Sequence, residues 1–235
     1  YHVGDANFKP EFNVQTDIGA FLNLPNVSAS VEFFNNNIQN YIYQQQELNP
    51  DGSPVRNPAY PQYTVFTYTQ SKARINGGEV NVDLRPVPWL HFENSLSLTY
   101  GTNLGNGGPV ADSLKYLPFI PPLHTHSELR GTFIKGFSSL RNVYAFFGFD
   151  HYNAQDRFFA AYGTETYTAG YNLISAGIGG NIVNAKGDPI MKIFIEGTNL
   201  GNVNYQSNMS RLKYFDNANV PAGVQPGIFN MGRNI

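Results

Sequence analysis

Leu90-His91-Phe92-Glu93-Asn94-Ser95-Leu96-Ser97-Leu98-Thr99-Tyr100 is written with a period of two. Leu90, Phe92, Leu96, Leu98 and Tyr100 fall on one side, His91, Glu93, Ser95, Ser97 and Thr99 on the other, with Asn94 the one interruption. Successive side chains of a strand point to opposite faces of its sheet, so this stretch describes a strand with one apolar and one wet face. The same pattern recurs along the chain. Val27, Ala29, Val31 and Phe33 alternate with Ser28, Ser30 and Glu32. Val143, Ala145, Phe147 and Phe149 alternate with Tyr144, Phe146, Gly148 and Asp150. Ile174, Ala176, Ile178 and Ile182 oppose Leu173, Ser175, Gly177, Gly179 and Asn181, while Met191, Ile193 and Ile195 oppose Lys192, Phe194 and Glu196.

About nine strand segments are read this way, over 11–23, 26–45, 62–86, 88–103, 120–135, 139–151, 166–183, 189–200 and 227–235, the last one short. No helical pattern separates them, which argues against parallel βαβ units. Four connections are short, at Leu24–Pro25, Val87, Gly136–Ser138 and Asn184–Asp188. The others, around 46–61, 104–119, 152–165 and 201–226, are long, and short and long connections alternate without exception. In an antiparallel meander, alternate turns lie at opposite ends of the sheet. One end then holds only tight turns and the other only long loops. Soluble domains rarely carry such loops, whereas outer-membrane barrels have short periplasmic turns and long extracellular loops. Segments of a dozen residues or more also suit a tilted membrane-crossing strand, which needs about 9–11 residues.

Composition agrees. Charged residues make up 14% of the 235 residues and aromatics another 14%, with 18 Phe, 15 Tyr and 23 Gly. The charge missing relative to a usual soluble domain, about 25%, is replaced by Asn, Gln, Ser and Thr. A net charge of −2 leaves no basic footprint for nucleic acid. The absence of cysteine excludes disulfides and thiolate metal sites. No apolar run reaches the length of a transmembrane helix, and Tyr1-His2-Val3-Gly4-Asp5 has neither the basic region nor the apolar core of a secretory leader. The expected fold is all-β: an antiparallel up-and-down transmembrane β-barrel. Single-chain outer-membrane barrels have an even number of strands. Nine segments with the last one short therefore suggest the C-terminal portion of a larger barrel.

Local motifs resemble one family, the TonB-dependent outer-membrane receptors, especially the iron-complex type of Bacteroidetes. Gly4-Asp5-Ala6-Asn7-Phe8-Lys9-Pro10-Glu11 is similar to that family's Gly-Asn-Pro-x-Leu-Lys-Pro-Glu before a mid-barrel strand, and Ala73-Arg74-Ile75-Asn76-Gly77-Gly78-Glu79 to its Ala-x-x-x-Gly-x-Glu. Ile120-Pro121-Pro122 matches its Ile-Pro-Pro, Asn199-Leu200-Gly201-Asn202 with Tyr205 its Asn-Leu-Phe-Asp-x-x-Tyr, and Met231-Gly232-Arg233-Asn234 its Pro-Gly-Arg-Asn, with Met231 replacing the proline. The resemblance implies that residues 1–235 are the C-terminal part of a barrel of about 22 strands. The plug domain would lie outside this chain. It further implies location in the bacterial outer membrane, contact with outer-membrane lipid, and energised uptake of a scarce nutrient such as a ferric siderophore. The TonB complex would act through the plug segment that is not part of this chain. The alternatives are a glycan importer of the same architecture, working with a surface lipoprotein, and a passive pore.

Arg and aromatic side chains suit an anionic, ring-bearing metal chelate. The loop residues offering them are His151, Arg157, Tyr162 and Arg211, among neighbours Asp156, Phe158, Phe159, Lys213, Tyr214 and Phe215. His124 and His126 share a face and could bind a metal, but zinc needs three or four ligands, and the simpler reading is a pair of lumen histidines. Glu79, Asp83, Arg85 and Glu93 read as lumen lining. Ser127 and His126 are neighbours in a strand and so face apart, which leaves no activated nucleophile. No enzyme, cofactor or resident metal is expected.

Overall fold

The computed structural model describes residues 2–3, 6–133, 136, 139–214 and 227–235. Its strands are β1 (His2–Val3), β2 (Phe12–Leu24), β3 (Val27–Gln46), β4 (Phe66–Val87), β5 (Leu90–Gly105), β6 (His124–Phe133), β7 (Leu140–Tyr152), β8 (Tyr171–Val183) and β9 (Pro189–Gly197). From β2 to β9 each strand pairs antiparallel with its sequence neighbour, giving one sheet with β2 and β9 at its edges. β1 is a two-residue parallel addition to β4, at Phe66 and Thr67, which the sequence did not suggest.

The alternation of connections holds. Pro25-Asn26 joins β2 to β3, and the tight turn from β4 to β5 is Pro88-Trp89 rather than Val87, because Pro88 has no N–H for the ladder. In the β8–β9 turn the Asn184 side-chain oxygen accepts the Lys186 and Asp188 amides at 2.8 and 3.0 Å, and Gly187 adopts φ +90°. The expected turn residues Phe137 and Ser138, Gly4 and Asp5 of the opening motif, and Phe215 in the last loop lie outside the described residues.

Strand boundaries move in ways that side chains explain. The segment expected from 120 begins at His124, since Pro121 and Pro122 cannot donate to a ladder. The segments expected from 62 and 166 begin at Phe66 and Tyr171. Their first residues instead bridge within loops, Thr64 to Arg56 and Thr168 to Gln155. The ninth segment, 227–235, is not a strand among the described residues. Asn199 and Asn202, at φ +48° and +51°, turn the chain away after β9. Only Thr198 remains to bridge Asn234, through bonds of 2.8 and 3.1 Å.

The register makes the two faces continuous. Leu24, Val27, Leu84, Phe92, Leu129, Phe147 and Ala176 stand opposite one another in turn from β2 to β8. The row beside it on the other face reads Ser28, Asp83, Glu93, Glu128, Gly148 and Ser175. Phe33, Phe147 and Ile195 are 61%, 52% and 67% exposed, so the apolar face has no protein partner here. That is the lipid-facing surface of a barrel wall. β3 and β4, at 20 and 22 residues, are about twice the length a membrane crossing requires. Their excess carries them past the lipid at the long-loop end.

A lysine on the lipid face near mid-membrane costs about 2–4 kcal/mol in such barrels. Phe147→Lys should therefore destabilise the protein in lipid vesicles by about that amount, read as a lowered urea midpoint, whereas Ser95→Lys on the opposite face should leave the midpoint nearly unchanged.

Candidate ligand-binding site at the long-loop end

A break in alternation builds the first wall of the site. Ile38 of β3 stands opposite Ala73 of β4, but the next partners are Tyr41 and Ser71, so three steps on β3 match two on β4. This is a β-bulge, and it changes which residues face which way. Because Ala73 and Ser71 share a face, Tyr41 and Tyr43 join Ile38 on it instead of pointing to the lipid side. Asn40 takes the bulge at φ +58°, a conformation asparagine tolerates. Its side chain donates to the Pro10 carbonyl at 3.0 Å, and its own carbonyl accepts from Gln70 Nε2 at 3.1 Å.

The loops supply the second wall, and they are knitted by buried side chains rather than by secondary structure. Ile120 and Leu117 fold over Gly101, where a Cβ would stand only 2.6 Å from Ile120 Cδ1. Gln155, 2% exposed, donates through Nε2 to the Ile120 carbonyl at 2.7 Å, and Asn208 donates to the same oxygen at 2.8 Å. Glu165, also buried, ties two loops together. Oε1 accepts the Phe119 amide at 2.5 Å and Oε2 the Phe159 amide at 3.1 Å. Lys213 anchors the last loop by donating to the Thr166 and Tyr167 carbonyls and to Thr168 Oγ1 at 3.0, 2.8 and 2.6 Å. Burial pushes the Glu165 carboxyl above its usual range, against its two amide donors and nearby Lys213. Burial likewise pulls the Lys213 ammonium below its usual value.

Between these walls lies a cavity of about 580 Å³, within the usual range for small-molecule sites. Tyr41 and Tyr43 line it from the bulge, their rings stacked at 6.3 Å, and Phe66 and Tyr68 from β4. Phe159 and Tyr162 contribute from the third long loop, with Tyr162 edge-on to Phe66 at 5.8 Å and to Phe159 at 5.9 Å. Arg211, exposed, holds its guanidinium 5.2 Å above the Phe119 ring. Phe119 and Tyr162 both adopt positive φ, +55° and +63°. Such backbone conformations cost about 1–3 kcal/mol each and cluster at ligand sites.

The structure brings two of the four sequence-nominated residues, Tyr162 and Arg211, to this cavity. Arg157 instead lies over the Tyr100 ring at 4.1 Å. His151 falls on the lipid-side register with Phe147 and Phe149, its Nδ1 2.6 Å from Asn172 Oδ1. Tyr41, Tyr43 and Phe119 were not nominated. The spacing Ile38, Tyr41, Tyr43 around an asparagine was the available signal for the two tyrosines. His124 and His126 do share the inner face, and both imidazoles reach one oxygen of Asp150 from β7, at 2.8 and 2.9 Å. Asp83, His91 and Glu93, nearer the short-turn end, also converge, with one ligand atom each within 4.8 Å of the others. Arg85 is tied to the β2–β3 turn through the Leu24 carbonyl and Ser28. Ser127 donates to Asn94 on the lipid side, away from His126, so no Ser–His pair forms there.

Replacing Glu165 with glutamine leaves one of its two amide donors without an acceptor, at a cost of about 1–3 kcal/mol. Glu165→Gln should therefore raise hydrogen exchange at Phe119 or Phe159 by about tenfold or more. Because the folded carboxyl is raised above its ordinary 4.5, cap stability should fall as pH rises from there through the raised value. The glutamine variant should lose that slope.

The family model described as "TonB dependent receptor-like, beta-barrel" matches residues 1–200. No curated protein sequence matches significantly. Among solved structures, the copper transporter OprC superposes with a TM-score of 0.71 at 18% identity, over 97% of this chain and 30% of that one. The FrpB iron transporter from Neisseria meningitidis gives 0.65 at 12% identity, over 99% and 31%. The ferric yersiniabactin uptake receptor FyuA from Yersinia pestis gives 0.59 at 12%, over 95% and 28%. These structures share the fold, and this chain spans about a third of their length. With the meander, the lipid-facing band and the loop-end cavity already described, the family match leads to one conclusion: the chain belongs to the TonB-dependent receptors of the bacterial outer membrane and matches their β-barrel domain.

Proposed function

We propose that the protein imports an anionic, ring-bearing metal chelate, such as a ferric siderophore, by energised transport, and that the aromatic cavity with Arg211 is part of its receptor site. The observation that carries this reading is the cavity itself. Tyrosine and phenylalanine rings offer flat apolar faces, and Arg211 offers a cation with fork-like donors for an acidic chelating group. Metal cargo is also what the names of the copper transporter, the iron transporter and the ferric yersiniabactin receptor print.

In this reading the chain is the C-terminal part of its barrel. β2 and β9 are the sheet's two edges, and unpaired edge groups in lipid cost several kcal/mol each, which supports further strands on both sides. A plug domain would close the lumen, and the TonB complex would draw on that plug to admit the ligand. Most of the remaining ligand contacts would come from the plug and the other strands.

A strain lacking the gene should fail to grow on ferric siderophores under iron limitation and grow normally on glycans. The opposite result would make the protein a glycan importer, and no effect on either would remove the receptor reading. In complemented cells, Arg211→Gln with Tyr162→Ala should weaken ferric-catecholate binding by about tenfold, about 1.4 kcal/mol, with receptor levels unchanged.

A further inference from the structure

The sequence offers two imidazoles on one face, His124 and His126, and the strand register supplies a third donor beside them. Asp150 of β7 stands directly opposite His126 on β6, and His124 is paired two residues further on, with Tyr152. His124 Nε2 lies 2.8 Å and His126 Nδ1 2.9 Å from the same oxygen, Asp150 Oδ1. Three metal-ligating groups from two neighbouring strands therefore converge on one point of the lumen face.

Other carboxylates of the inner wall are answered by guanidinium groups. Arg85 Nε lies 3.6 Å from Asp83, and Arg130 Nε 2.8 Å from Glu128. Among the described residues Asp150 pairs with no lysine or arginine, only with the two imidazoles. The His124 ring is stacked on Tyr152 at 4.1 Å, and Tyr152 in turn on Tyr171 at 4.6 Å. That stack holds the ring plane, as outer-shell groups do for a ligating imidazole. In the next row Gly148 puts no side chain between Glu128 and Ser175. A cavity of about 410 Å³ opens there, lined by His126, Asp150 and Ser175 and by Glu196 of β9.

Donor chemistry selects the occupant. Imidazole suits Zn²⁺, Cu²⁺ and Ni²⁺, whereas Ca²⁺ and Mg²⁺ take oxygen ligands. Zinc bonds of about 2.0–2.2 Å set tetrahedral neighbours about 3.4 Å apart, so each nitrogen withdraws from Asp150 by about half an ångström as the two rings turn inward. Three protein donors leave the fourth position to the cavity, as in sites that exchange ligands rather than closed structural ones.

We propose that His124, His126 and Asp150 form an open site for a divalent transition-metal ion of the zinc and copper class on the lumen wall. The site takes the ion directly, and its cavity shares no lining residue with the aromatic cavity proposed for a chelate.

The test uses the purified protein in detergent, stripped of metal with a chelator and titrated with Zn²⁺ or Cu²⁺ alone. Wild type should bind Zn²⁺ in equilibrium dialysis, undiminished by excess Mg²⁺. D150N, which keeps the size of the side chain, should weaken that binding tenfold or more. H124Q/H126Q, its folding checked by heat-modifiable electrophoretic mobility, should lose one equivalent of zinc. H151Q, on the lipid-side register beside Asp150, should bind as wild type. With one equivalent of Cu²⁺, the wild-type electron paramagnetic resonance spectrum should show coupling to two imidazole nitrogens. A copper spectrum without nitrogen coupling would overturn the proposal without any variant. So would full zinc content in H124Q/H126Q, unchanged affinity in D150N, or an equal loss in H151Q.

Discussion

The interstrand hydrogen-bond ladder is the constraint from which the other features follow. A backbone amide or carbonyl inside lipid has no water to turn to, so each must be satisfied within the wall. Antiparallel neighbours achieve this with tight turns at one end, as at Pro25-Asn26 and Pro88-Trp89. The ladder also leaves side chains alternating between two solvents. Lipid takes Phe147 and Ile178, and the lumen takes Asp150 and Ser175. The hydrophobic effect therefore orients this sheet against the membrane rather than collapsing it onto a protein core.

The dry core of the described residues is displaced to the loops. Val65, Leu117, Phe159 and Ala161 are buried there, beside the buried polar groups Gln155, Glu165, Asn208 and Lys213. Long loops free in water would pay a large ordering entropy on binding a ligand. Here side chains that cap backbone amides and carbonyls of other loops meet much of that cost in advance. The carboxylate of Glu165, raised by burial yet bonded to two amides, shows how closely such a cap is balanced. The cavity keeps its rings in place because the chain around it is already fixed.

Much of the wall was legible in the sequence because its determinants are local. A period of two, proline and asparagine at turns, and connection lengths fix strand order, direction and faces. The misplaced boundaries share a cause: residues such as Thr64 and Thr168 have strand-like writing but bond within loops. The loop cap was not legible. Its bonds run from Asn208 to Ile120 and from Lys213 to Thr166, across distances in sequence that no spacing rule spans. Arg157 and His151 were nominated for residue type alone, and type does not say which side of the rim a side chain takes. Asp150 between His124 and His126 is likewise a product of register. The bulge at Asn40 lies between these cases, since its broken alternation is visible but its consequence needs the partner strand.

One face of the sheet meets lipid and the other the lumen, and the remaining features depend on that division. These 235 residues contain no cysteine, so single cysteines introduced at 144 through 149 of β7 in the full-length receptor, any other cysteines replaced, can be spin-labelled in lipid vesicles. Accessibility to oxygen, which partitions into lipid, should peak at 145, 147 and 149, and accessibility to a polar nickel chelate should be lowest there. A flat profile, or oxygen maxima at 144, 146 and 148, would contradict the membrane wall described for this chain.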